Sequence, residues 1–117
     1  MNVAAVCGTL SRPVEVKTLP SGEVLASFDV TVRAEGQAAE SVPVVWFGAP
    51  DRVGRWPEGT EVVAMGRIRR RFFRAGGVTQ SRTELVAAEV LRRSQRARVR
   101  QAVRRLEVAL GTLEPDT

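Results

Sequence analysis

The stretch that decides the fold is residues 61–91, EVVAMGRIRRRFFRAGGVTQSRTELVAAEVL. Glu61 to Phe73 predicts a long β-strand, and Val78 to Leu91 predicts its antiparallel return. Between them, Ala75-Gly76-Gly77 supplies the glycines that tight hairpin turns favour. The sequence therefore predicts one long β-hairpin, around which the rest of the fold is arranged.

Four shorter strands are predicted before this hairpin. Val24 to Arg33 alternates apolar and polar residues, which is typical of a half-buried strand. Val3 to Leu10 is apolar on both faces and predicts a strand covered on two sides, with Cys7 as a small buried residue. The other two strands are expected at Val14–Leu19 and Val42–Phe47.

Two helical segments complete the pattern. Asp51–Trp56 predicts a short helix before the hairpin, and Ser94–Leu113 changes to a helical period that Pro115 ends. Short strands with a small helix before the final hairpin predict an all-β fold, a small Greek-key barrel of the OB type with a C-terminal α-helix. We expect residues 1–91 to form the barrel domain and residues 92–117 a basic helix and short tail.

The composition argues against an enzyme. The chain has no His, which removes the commonest general base, and it has no P-loop phosphate-binding motif. A single Cys without His cannot supply the roughly four ligands of a zinc site, so neither a metal nor a cofactor is expected. No apolar run reaches the ~18 residues of a membrane span and no signal peptide is visible. A cytoplasmic protein without a membrane partner is therefore expected.

The charge of the chain favours an acidic partner. Its formal net charge is +5, and 17 of its 18 basic residues are arginines, whose planar fork suits phosphate. Residues 92–117 carry seven arginines and three acidic residues, whereas residues 1–91 are nearly balanced. A basic surface of this kind indicates nucleic acid or another acidic surface as the partner.

Strand alternation places three arginines and a phenylalanine on one face of the first hairpin strand. Arg67, Arg69, Arg71 and Phe73 share that face, because successive side chains point to opposite sides. A line of guanidinium groups ending in an aromatic ring suits single-stranded nucleic acid, since phosphates repeat regardless of sequence and every base has a π-face. A solvated edge that resists aggregation is the alternative interpretation.

Two phenylalanines next to each other must point in opposite directions. We assign Phe72 to the core, on the face of Ile68, and Phe73 to nucleic acid. On the strand Val42–Phe47, the apolar stripe Val42, Val44 and Trp46 predicts the core face, so Phe47 is expected to point outward.

Several short motifs, in their order and spacing, resemble the bacterial single-stranded DNA-binding proteins over roughly residues 2–91. They are Gly8-Thr9-Leu10, Leu19-Pro20-Ser21-Gly22, Val44-Val45-Trp46-Phe47-Gly48, Met65-Gly66-Arg67-Ile68 and Thr83-Glu84-Leu85-Val86-Ala87. The resemblance implies an OB-fold that oligomerises, usually as a homotetramer, with a dimer as the alternative. It also implies binding of single-stranded DNA with little sequence preference, protecting the strand during replication, recombination or repair.

The resemblance also implies roles for individual residues. Phe47 and Phe73 match positions whose rings stack on bases, and Arg69 and Arg71 match positions that contact phosphate. Arg67, Arg33 and Arg74 complete the set of expected DNA contacts. The sequence departs from the family at Ser41, where a Trp is usual. It resembles a short form that lacks the acidic C-terminal tip used to recruit repair enzymes.

Two other functions and two arrangements of the C-terminal helix stay open at this point. An OB module for structured RNA, or an assembly protein with weakened DNA binding, would also fit the sequence. The helix carries one apolar stripe: Val99, Val103, Leu106, Leu110 and Leu113. A helix this short must dock, either on a barrel, its own or a neighbour's, or against another helix. We also hypothesise that Arg92–Arg105, which holds seven arginines and no acidic residue, extends the DNA path.

Overall fold

The computed structural model describes residues 1–112, which form a small barrel-like all-β fold with a C-terminal α-helix. The strands are β1 (Ala4–Leu10), β2 (Glu15–Thr18), β3 (Val24–Val32), β4 (Glu40–Phe47), β5 (Glu61–Ala75) and β6 (Val78–Arg92). A 3-10 helix spans Asp51–Arg55 and α1 spans Arg96–Gly111. Every strand lies within two residues of its expected ends. Leu113 and Pro115, where the helix is expected to end, lie outside the described residues.

The sheet closes into a ring. Its strand order is β1-β5-β6-β4-β3, and β3 pairs again with β1, while β2 extends the sheet on β3. β4 and β6 run parallel, and the other pairs are antiparallel. Ring closure leaves few free backbone edges, because each ring strand has two hydrogen-bonded neighbours.

Two glycines allow the backbones to approach closely at the joints of the ring. A Cβ at Gly8 would lie 2.2 Å from the carbonyl oxygen of Thr31, where β1 meets β3. A Cβ at Gly66 would lie 2.0 Å from the carbonyl oxygen of Val86, beside a β-bulge in the pairing of β5 with β6. Glycine is required at both positions because any side chain would displace the neighbouring backbone.

The core fills the inside of the ring. Its buried residues are Leu10, Val14, Ala26, Phe28, Val30, Val44, Ala49, Val53, Trp56, Val62, Ala64, Leu85, Ala87 and Val90. Partly buried Val42 and Trp46 pack against this cluster, so the expected inward stripe of β4 is confirmed. Trp56 belongs to the same cluster and anchors the end of the 3-10 helix.

The expectation that both faces of β1 are covered is wrong for its outer face. Its inward residues are at least partly buried, but Val3, Ala5 and Cys7 are exposed. The reason is that α1 lies across β5 and β6 and leaves the outer face of β1 open. Cys7 is therefore an exposed thiol, with Sγ 4.0 Å from Nη1 of Arg93.

The C-terminal helix docks on the chain's own barrel. Ala102 and Val99 pack against a second cluster of Val63, Met65 and Leu91 on the outside of β5 and β6. Arg105 adds an ion pair, its Nη2 donating to Oε2 of Glu89 at 2.7 Å. Val103 and Leu110 stay exposed, and Leu113 of the predicted stripe lies outside the described residues. Neither helix within residues 1–112 has the length and apolar character needed to cross a membrane.

Candidate nucleic-acid interface

The distal part of the β5–β6 hairpin, residues 70–83, forms an arm that extends beyond the core. Every residue of this hairpin arm is exposed except Phe73, which is partly buried. The arm contains four arginines and no acidic residue. Pairing is continuous up to Ala75 and Val78, so Gly76-Gly77, both at positive φ, form the tip. The arm is thus a regular two-stranded ribbon with a strongly positive surface.

The structure brings four of the expected site residues together on the outer surface. Phe47, at the end of β4, has the Cζ of Arg69 5.6 Å from its ring centroid. On the same face of β5, the Cζ of Arg71 lies 5.2 Å from the ring centroid of Phe73. Both distances are within the range of cation–π attraction. The expected outward orientation of Phe47 is confirmed by its 38% exposure.

A buried carboxylate organises this surface. Glu84 is 1% exposed and lies opposite Arg69 on β6. Its Oε1 accepts hydrogen bonds from Nε (3.1 Å) and Nη2 (2.7 Å) of Arg69 and from Nε (3.2 Å) of Arg71. Because a guanidinium has five N–H donors, both arginines keep donors for a phosphate while the carboxylate holds them in place. We call this group, Phe47, Arg69, Arg71, Phe73 and Glu84, the pinned track.

The other three arginines expected to contact DNA lie outside the pinned track, at different places in the fold. Arg67 is exposed on β5 two residues before Arg69, on the same side of the strand. Arg74 lies near the hairpin tip, where its Nη2 donates to the carbonyl oxygen of Gly77 at 2.6 Å. Arg33 is not brought together with them. It follows β3 and lines a separate hollow of about 360 Å³ with Cys7 of β1 and Arg93.

The assignment of Phe72 to the core is wrong. Its side chain is 66% exposed, and the Cζ of Arg70 lies 5.7 Å from its ring centroid. Alternation does place Phe72 and Phe73 on opposite faces, but the hairpin arm has already left the barrel, so no core lies under Phe72. Ile68 on the same face is also exposed. The hairpin arm therefore carries one Arg–Phe pair on each side.

Replacing Phe72 by alanine is expected to leave the stability nearly unchanged, within about 0.5 kcal/mol, because an exposed ring buries little area. Urea unfolding monitored by circular dichroism measures this. Phe28→Ala is the matched control, since Phe28 is buried in the barrel and its loss should cost about 3–5 kcal/mol. A comparable loss for both variants would mean that Phe72 is buried in the protein in solution.

The sequence predicts no functional role for Arg70, Phe72 or Glu84, and it does not identify a second carboxylate on the outer surface. The carboxylate of Asp29 on β3 forms ion pairs with Arg12 and, at 3.5 Å, with Arg82 of the hairpin arm. Arg12 and Arg82 thus continue the positive surface toward β3. The pairing of Glu84 follows from the hairpin turn, whereas that of Asp29 depends on the closure of the barrel.

No protein-family model matches the chain, and no curated protein matches it at a significant level.

Proposed function

We propose that the protein is an OB-fold single-stranded DNA-binding protein, related to the bacterial family that its sequence motifs resemble, and that it is not an enzyme. The ring of five strands, the parallel pairing of β4 with β6 and the short helix between β4 and β5 support an OB-type barrel. OB-folds bind oligonucleotides on the face of their second and third strands and on the loop between the fourth and fifth. Those elements correspond to β3, β4 and the hairpin arm of this chain.

The observation that carries the proposal is the set of three Arg–Phe pairs on β4 and the hairpin. Arg69 with Phe47, Arg71 with Phe73 and Arg70 with Phe72 each have a guanidinium 5.2–5.7 Å from a ring centroid. At each pair one nucleotide can contact both groups, with its phosphate at the guanidinium and its base on the ring. Neither contact depends on base identity, so the proposed binding has little sequence preference.

The proposal includes self-association and a protective role. The open outer face of β1, with Val3 and Ala5, and the exposed Val103 and Leu110 of α1 are apolar surface that a homotetramer or a homodimer would cover. Covering single strands exposed during replication, recombination or repair requires high affinity without base selection. In this role the protein would act in the cytoplasm, in association with the nucleoid.

The affinity for poly-dT is expected to fall steeply with salt, because binding releases counterions from the phosphates. On single strands the log–log slope is about −0.7 for each phosphate neutralised. Replacing both Arg67 and Arg74 by alanine should flatten the slope by about 0.7 for each phosphate that the variant no longer neutralises. These two side chains are chosen because, among residues 1–112, neither has a carboxylate within 4.0 Å, so their removal leaves no buried charge unpaired.

The measurement is a fluorescence titration of labelled dT oligonucleotides at five or more salt concentrations. The control is Arg98→Ala/Arg104→Ala, which removes the same charge from exposed positions of α1, away from the pinned track. We expect the control to keep the wild-type slope. A dissociation constant independent of salt, or equal slopes for both double variants, would contradict the proposed phosphate contacts. Competition by an RNA oligonucleotide of the same length and base composition at equal strength would favour a general single-strand binder over one specific for DNA.

A further inference from the structure

A second strongly positive surface lies apart from the pinned track, beside the 3-10 helix and the start of α1. A groove of about 1000 Å³ runs between the 3-10 helix, the segment that follows it and the first turns of α1. Six arginines line it: Arg52, Arg55, Arg92, Arg93, Arg96 and Arg100. Glu61 is the one acidic side chain among the described residues that line this groove. We call it the arginine groove.

The charges of the arginine groove are almost uncompensated. Within residues 1–112, Arg93 is the one groove arginine with a carboxylate within 4.0 Å, and its Nε lies at that limit from Oε2 of Glu61. Both of those side chains are exposed, so their attraction is weak. A concave surface lined by charges of one sign concentrates its field and raises the local concentration of an oppositely charged ligand.

The distribution of the arginines over the fold favours a polymer over a small anion. Two come from the 3-10 helix, two from the end of β6 and its continuation, and two from α1. A small anion would contact one or two of them, whereas regularly spaced phosphates can contact many. The indole of Trp56 lines the groove but is only 7% exposed, so it offers little surface for stacking. The groove thus suits a phosphate backbone better than bases.

The arginine groove lies close in sequence to Phe47 of the pinned track. Only Gly48, Ala49 and Pro50 separate Phe47 from the 3-10 helix that supplies Arg52 and Arg55. β6, which runs parallel to β4, ends at Arg92 and so brings the start of α1 to the same end of the barrel. The groove therefore lies toward the end of the barrel at which β4 ends with Phe47.

We propose that the arginine groove binds the phosphate backbone of single-stranded DNA beyond Phe47 and so extends the binding path from the barrel onto α1. This inference rests on the proposed function. It also divides the basic residues of α1 into two groups. Arg96 and Arg100 line the groove, whereas Arg98 and Arg104 lie on the same helix outside it and Arg105 is paired with Glu89.

The test compares Arg96→Ala/Arg100→Ala with Arg98→Ala/Arg104→Ala in the full chain. Both variants remove two positive charges from exposed positions of one helix and introduce the same two alanines, so their effects on charge and helix propensity match. We expect the groove variant to bind poly-dT at least fivefold more weakly at low salt, with the log–log salt slope flattened by up to about 1.4 if two phosphates are no longer neutralised. The control variant should stay within twofold of wild type and keep its slope. Equal melting temperatures show that both are folded.

The outcomes separate this inference from the proposed function. If the wild type binds poly-dT and the two variants are indistinguishable, the groove assignment is wrong while the proposed function stands. If the wild type does not bind poly-dT at all, both the proposed function and the groove assignment are wrong. Poly-glutamate serves as a further probe, because it is an acidic polymer without phosphates or bases. If the groove variant loses affinity for poly-glutamate but not for poly-dT, the groove is a site for an acidic protein segment and the proposal is overturned.

Discussion

Replacing both Phe47 and Phe73 by alanine is expected to weaken the binding of poly-dT by about 2–6 kcal/mol, at least thirtyfold in the dissociation constant. Each base that loses its stacking partner should cost about 1–3 kcal/mol, the value found for proteins that bind single strands by base stacking. The two rings lie on the outer surface beside Arg69 and Arg71. Because neither substitution removes a charge, the salt slope of binding should stay at its wild-type value.

Leucine at the same two positions is the control for this prediction. Phe47→Leu/Phe73→Leu keeps most of the apolar volume but has no π-face, so it should bind nearly as weakly as the alanine variant. Phe47 is on the surface, and the double variants should stay folded, which their melting temperatures can verify. Wild-type affinity in the leucine variant would show that the rings act as apolar surface alone. A flattened salt slope would show that they act by positioning the arginines.

The second large effect is expected at Glu84. Glu84→Ala should lower the free energy of unfolding by about 3 kcal/mol, the lower end of the range for a broken buried ion pair. The lower end applies because the side chains of Arg69 and Arg71 are 30% and 44% exposed and can be rehydrated. Urea unfolding at neutral pH gives the difference directly. Glu89→Ala is the control, since Glu89 is paired with the exposed Arg105 and should cost less than about 1 kcal/mol.

Removing the charge of Glu84 should strengthen DNA binding, although it lowers the stability of the protein. Glu84→Gln keeps the shape of the side chain but removes its charge, which releases the guanidinium groups of Arg69 and Arg71 for phosphate. The variant should therefore be less stable than wild type yet bind poly-dT more tightly at low salt, with a steeper salt slope. A variant that loses stability and affinity together would mean that pinning the arginines matters more than freeing their charge.

The strands could be predicted closely because their signals are local. Alternation in β3 and the Gly76-Gly77 turn each depend on neighbouring residues, and both give the observed element within two residues. Whether other residues cover a given face of a strand is not determined by neighbouring residues. Alternation tells which side of a strand a residue faces but not whether anything packs there. The pattern therefore predicts burial for both Cys7 and Phe72, whereas both are exposed. For Cys7 the answer depends on where α1 docks, and for Phe72 on how far the hairpin extends past the core.

The candidate site could be predicted in part for the same reason. Arg69, Arg71 and Phe73 follow from the period of one strand. Glu84 could also have been found, since a two-residue turn pairs Ala75 with Val78, and six residues further along each strand Arg69 meets Glu84. The arginine groove could not, because it forms between two segments distant in sequence, residues 52–61 and 92–100, and their meeting depends on barrel closure.

The most direct test of single-strand binding is a measurement on the wild-type chain with three labelled probes of equal length: a dT oligonucleotide, a mixed-sequence single strand and the same mixed sequence as a duplex. At near-physiological salt, both single strands are expected to bind with similar affinity and the duplex far more weakly, because paired bases cannot reach Phe47, Phe72 and Phe73. Equal affinity for the duplex, or no binding of either single strand, would contradict the proposed function.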